Sequence, residues 1–219
     1  MKRIGDARSC KAHPKRTRGS CLPRTGDQMV LHSFKEVVQD YIAKYRDRAN
    51  DELASFQMLN SLEEAIERAA RAEVEGGKKH DHQWRIPEAV LARAGKVLLA
   101  KRAQISKCTG FDSLIEVVET TAGSIRGFGE LAIYDTAVRI GTRLGMEPEF
   151  VYLHRGSRKG ARALGLASGG KYLKVSELPA EFTKLRPHEI EDCLCIYASD
   201  LSRLKRVSHG ARRETEGFL

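Results

Sequence analysis

The chain has 219 residues, 41% of them hydrophobic and 6% aromatic, and a net charge of +9. That length and apolar share suit one large or two small packed domains and exclude a chain too polar to fold. No apolar run approaches the roughly 18 residues that cross a bilayer, no apolar leader opens the chain, and the five scattered cysteines match no zinc or iron–sulfur spacing.

No membrane partner, metal or cofactor is therefore expected. Reduced thiols in a cytoplasmic setting are the natural reading of Cys10, Cys21, Cys108, Cys193 and Cys195. The charge is uneven. Residues 1–28 hold eight Lys and Arg against two Asp, which is +6 of the +9. This stretch has no apolar periodicity and reads as a disordered basic tail. An all-α domain is expected over 29–206, with a frayed C-terminus over 207–219.

Phe34, Val37, Val38, Tyr41, Ile42 and Tyr45 fall at helical spacing, and Leu53, Phe56 and Leu59 suggest a short second helix. Ser61 followed by Glu64 has the form of a capping box. Residues 75–83 read as a loop, in which His80 and His82 carry too few companions for a metal site. Pro87 suits a first helical turn, and Val90, Leu91, Ala94, Val97, Leu98 and Ile105 form one long stripe. Asp112 is placed to cap a helix over Leu114, Ile115, Val117 and Val118 that Gly123 ends. A helix over 130–144 is closed by Gly145. Residues 147–154 read as loop or one turn, 155–164 as a short basic helix, and 165–172 as loop. A turn is expected over 179–182. Pro187 opens a last long helix with Ile190, Leu194, Ile196, Tyr197 and Leu201 apolar.

Between two apolar helical runs stands Ile125-Arg126-Gly127-Phe128-Gly129-Glu130-Leu131-Ala132. Glycine reaches positive φ without steric cost and admits another backbone. The helix after Gly129 begins with N–H groups that lack intrahelical partners, a fit for an anion. Ile125, Gly127, Phe128, Gly129 and Ala132 resemble the helix-hairpin-helix motif, and the order of segments from about 88 to 198 is similar to the helix-hairpin-helix DNA glycosylases. The resemblance implies an all-α helical bundle with a glycosylase-like core, a hairpin that grips the DNA backbone, and a role in DNA repair. In that superfamily a Val-Asp-Thr-His segment supplies the catalytic Asp, and some members place a Lys nucleophile just after the hairpin. Here Val151-Tyr152-Leu153-His154 puts Tyr152 in place of the Asp, and Leu131 stands at the Lys position. A phenol is neutral at pH 7, and Leu forms no Schiff base.

The expected function is therefore non-sequence-specific DNA binding, more as a binding protein than as an enzyme. The alternatives are a divergent base-excision glycosylase and a protein-interaction scaffold. Two surfaces are expected to meet DNA. One is the turn, through Arg126, Gly127, Phe128, Gly129, Glu130 and Leu131. The other is the cationic run His154, Arg155, Ser157, Arg158, Lys159 and Arg162, in which Gly156 and Gly160 let the backbone approach a ligand. Asp135 is the one candidate catalytic carboxylate. Its competing reading is an ion pair with Arg139 one turn along the helix.

Overall fold

Ser33 starts the first helix of the computed structural model, which describes residues 30–74, 77–80 and 83–215, with side chains to 206. The Glu36 N–H donates to Ser33 Oγ at 3.2 Å, and α1 spans Phe34–Tyr41. The basic tail and His82 lie outside the described residues. No cap interrupts the chain after Tyr41. The backbone stays right-handed through a π turn, Ile42–Arg46, into α2, Asp47–Gln57. The two expected helices are thus one rod with a π bulge. The bulge adds a residue within a turn and so rotates the buried face. Tyr41 packs into one apolar cluster and Phe56 into another.

α3 (Leu62–Ala70) begins at Ser61, whose Oγ accepts from Glu64 N–H at 3.1 Å. The box is shifted by one residue on its return side, because the Glu64 carboxylate takes the N–H of Asn60. α4 (Glu88–Ala100) follows Pro87, and the apolar stripe is cut at Lys101, so that Ile105 belongs to a separate turn, α5 (Arg102–Ile105). α6 (Phe111–Ala122) starts from Gly110 rather than Asp112. Asp112 sits inside the first turn and accepts the Tyr152 hydroxyl at 2.5 Å. α7 (Glu130–Leu144) ends at Gly145 in the left-handed region, φ 71°.

Two stretches expected as loop pair as a small antiparallel ribbon, β1 (Val151–Tyr152) with β2 (Tyr172–Leu173). α8 spans Arg155–Leu164. Two 3₁₀ turns, Val175–Glu177 and Ala180–Lys184, lead to α9 (Pro187–Ile196). The long final helix is broken at Tyr197. α10 (Ala198–Thr215) carries helical backbone into the segment expected to fray. The protein is all-α apart from the ribbon, and no helix among the described residues is long and apolar enough to cross a membrane.

The apolar side chains form two clusters. One gathers α2 to α7, the other α1 and α8 to α10. The chain enters in the second lobe, crosses to the first through the π turn, and returns through residues 145–150. β1 serves both lobes, since neighbouring residues of a strand face opposite ways. Val151 packs in one cluster and Tyr152 in the other.

Candidate nucleic-acid interface

The turn before α7 divides its residues by chemistry. Ile125 and Phe128 are buried, and the Phe128 N–H closes the turn on Ile125 O at 2.9 Å. Gly127 takes φ 98°, a region that a Cβ makes costly. Gly129 is the N-cap, is exposed, and offers no side chain to the helix. Among the described residues the N–H groups of Glu130 and Leu131 find no acceptor. Arg126 and Glu130 are exposed beside them, and Leu131 is half-buried. Phe128 can offer a ligand only its backbone, because its ring is in the core.

The start of α8 lies against this turn. Arg158 Nη1 stands 3.4 Å from Glu130 Oε2 and donates to Leu153 O at 3.1 Å, while its Nε donates to Ser168 O at 3.2 Å. Arg155, Lys159 and Arg162 are exposed, with Arg162 Nε on Ser168 Oγ at 3.0 Å. The hairpin and the cationic helix therefore border one surface. Two residues expected there turn inward instead. Ser157 is fully buried, and its hydroxyl accepts from His154 N–H at 3.0 Å. His154 is 4% exposed, caps α8 by accepting the Gly156 N–H at Nδ1, and pairs through Nε2 with Glu191. Gly156 and Gly160 likewise serve packing, not a ligand. Without side chains they let α9 approach, Gly156 against Cys195 and Gly160 against the backbone of Leu194.

Polar side chains away from the hairpin are tied within each lobe. Arg139 does not pair with Asp135. It reaches Glu52 through Nε at 3.1 Å and Nη2 at 3.0 Å, and Glu52 also holds His80 at 3.0 Å. Burial raises the Glu52 carboxyl, but His80 and Arg139 outweigh it and bring its pKa down to about 2. Asp135, half-buried, accepts the side-chain amide of Gln83. Tyr41 donates to Asp192 at 3.3 Å, and Arg46 holds Glu189 by two bonds of 2.9 and 3.1 Å. Burial, then the charges of Glu191 and Asp135, push Asp192 well above the usual carboxylate range. Burial lowers His154, but the neighbouring Glu191 carboxylate prevails and holds the ring above its ordinary value. No group of three His, Cys, Asp or Glu among the described residues is close enough to hold a metal.

Gln83, Glu191, Asp192 and Tyr41 do not stand out in the sequence as site residues. Glu191 and Asp192 lie off the face of α9 that Ile190, Cys193 and Leu194 set, so their spacing reads as solvated. Tyr152 is a packing residue, tilted against Tyr134 at 5.7 Å and edge-on to Phe111 at 5.4 Å. Trp84, next to Gln83, is 57% exposed with the Arg85 guanidinium 4.9 Å from its ring. Comparison with protein-family models, curated proteins and solved structures finds no match to this chain.

Proposed function

We propose that the protein binds the backbone of duplex DNA, without reading sequence, through the 125–131 turn and the exposed cations at the start of α8. The observation that carries this is the pair of acceptor-less N–H groups, Glu130 and Leu131, at the head of a 15-residue helix on an exposed turn. A helix start concentrates partial positive charge, and a phosphate oxygen satisfies such donors. Arg155 and Lys159 add charge beside it, while Glu130 opposes it. Phosphate contacts fix register but distinguish no bases.

Fluorescence anisotropy with a short duplex, titrated across salt, tests the reading. Each cation removed from a phosphate should flatten the log–log salt slope by about 0.9. The double variant Arg155→Glu, Lys159→Glu should lose affinity and about two units of slope, and Glu130→Gln should gain affinity. Salt-insensitive binding, or none, refutes the proposal.

A second reading, base excision, has one observation in its favour. Asp135 follows the turn by less than two helical turns on α7 and is half-buried beside Gln83. A panel of lesion-bearing duplexes tests it. Excision abolished in Asp135→Asn with DNA affinity kept would support it, and absence of excision on every lesion would end it.

A further inference from the structure

Trp84 is the chain's one tryptophan, and it is exposed rather than packed in either cluster. With Arg85 it holds the two central positions of a tight turn, which the Ile86 N–H closes on Gln83 O at 2.9 Å. Both ends of this segment are fixed. Before it, the buried Gln83 donates through Nε2 to Asp135. After it, Val90 in the first turn of α4 lies against Gly127, its methyls 3.6 and 3.7 Å from where a Cβ would stand. A single exposed aromatic is ordinary. This one is distinguished by its place.

That place follows from α7. Asp135 is five residues past Glu130, about 7.5 Å along the axis, so the turn with Trp84 sits beside the start of the helix whose first N–H groups lack acceptors. Leu131 and Asp135 are one turn apart on one side of α7, while Glu130 points about 100° away and meets Arg158 of α8. Trp84 and the cations of α8 thus flank the helix start from different sides. α4 adds charge on the side of Trp84. Arg93, one turn past Val90, and Lys96 are exposed, and no acid occurs from 89 to 111.

The Arg85 guanidinium lies over the indole, 4.9 Å from its ring, and more than half of the tryptophan stays accessible. A ring has two faces, so one remains for a second planar group. An unpaired nucleobase is such a group, whereas a base inside a duplex already has both faces stacked. Stacking on an aromatic side chain tolerates any base, which agrees with a grip on the backbone that reads no sequence.

We propose that Trp84 stacks on an unpaired base beside the gripped backbone, so that the preferred DNA is a duplex carrying a single-stranded extension. The inference rests on the backbone-binding reading of the hairpin and narrows its substrate. Arg85 and Arg93 would neutralise phosphates of the extension.

A blunt duplex, the same duplex with a short thymine overhang, and the same duplex with an abasic overhang of equal length test it. The abasic overhang keeps the phosphates and removes the bases. In fluorescence anisotropy the thymine overhang should bind about tenfold more tightly than the abasic one. Trp84→Ala should erase that difference, and Trp84→Phe should keep part of it. The emission of Trp84, with no other tryptophan to mask it, should be quenched by the thymine overhang and much less by the abasic one. Equal affinity for the two overhangs in the parent, or a thymine advantage that survives in Trp84→Ala, overturns the proposal while the salt-dependent grip on blunt duplex stands. Failure of the parent to bind any of the DNAs overturns the hairpin reading and this inference with it.

Discussion

Adding one methyl group at Gly160 should cost more stability than its size suggests. A Cβ there would lie 2.7 Å from the carbonyl carbon of Leu194 and 2.9 Å from its Cα, and nearer still to the carbonyl oxygen. Ordinary contacts of this kind are 3.4–4 Å. The obstacle is backbone inside α9, which has no rotamer to change. α8 and α9 must therefore separate by roughly 1 Å, and overpacking of this kind costs about 1–3 kcal/mol. Alanine returns about 1 kcal/mol through helix propensity, so the net loss should fall between about zero and 2 kcal/mol if the helices relax fully, and above that if they do not. A loss of 2 kcal/mol in a chain of this size lowers Tm by about 4–8 °C. Gly129→Ala is the matched control, because nothing lies within 4 Å of its Cβ and its φ is −89°. Urea denaturation of both variants, with the m-value followed, measures the difference. The separation should also loosen His154 from Glu191, visible as a changed imidazole resonance. A Gly160→Ala protein more stable than the parent, with that resonance unmoved, would refute the packing argument.

Three further outcomes follow from the polar contacts and the hairpin backbone. Glu52→Ala leaves the Arg139 guanidinium, 4% exposed, without its carboxylate, and should cost about 3–5 kcal/mol in urea denaturation; Glu52→Ala with Arg139→Leu should recover part of it. The Glu52 pKa is depressed to about 2 from an ordinary 4.5, so its contribution is complete above 4.5 and fades as pH falls toward 2. Acid denaturation of Glu52→Gln should lack that component. His154 runs the other way. Its pKa is raised, so its contribution is full below the ordinary histidine value of 6.5 and is lost as pH rises through the folded value. Stability compared across about pH 5 to 8 should fall in the parent and stay flatter in Glu191→Gln. Gly127→Ala should cost about 1–2 kcal/mol by thermal denaturation from φ 98° alone, since the nearest side-chain atoms, of Val90, are at ordinary distance.

The helices are legible because their signals are local. Ser33 and Ser61 cap, Gly145 stops, and the apolar residues of α3 and α7 recur at helical spacing. What escapes is set by distant partners. No feature of residues 42–46 marks a π turn, because its register answers to two clusters packed on either side of it. The ribbon joins two-residue strands, too short for an alternation to register. Asp135 and Arg139 have ideal i, i+4 spacing, yet each bonds elsewhere, Asp135 to Gln83 and Arg139 to Glu52. Gly156 and Gly160 look like openings for a ligand because sequence shows that room exists, not which neighbour fills it. The exposed hairpin glycines are legible for the opposite reason. Gly-Phe-Gly buries its one large side chain and leaves the glycines outside, an outcome set within three residues.

Net charge conceals the arrangement that matters most. Outside residues 1–28 the chain carries only +3 of its +9, and a small sum can hide two opposed fields. α8 presents Arg155, Lys159 and Arg162 to solvent, while the carboxylates of Asp135 and Glu191 act on Asp192. Three helices carry them: the cations are on α8, Asp135 is on α7, and Glu191 and Asp192 are on α9. α7 offers bare amides at its head and Asp135 further along, and α8 begins at His154, which faces Glu191. Arg158 ties their starts together through Glu130 and Leu153. Shifting α8 along α7 therefore changes the spacing between the amides at the head of α7 and the exposed cations of α8.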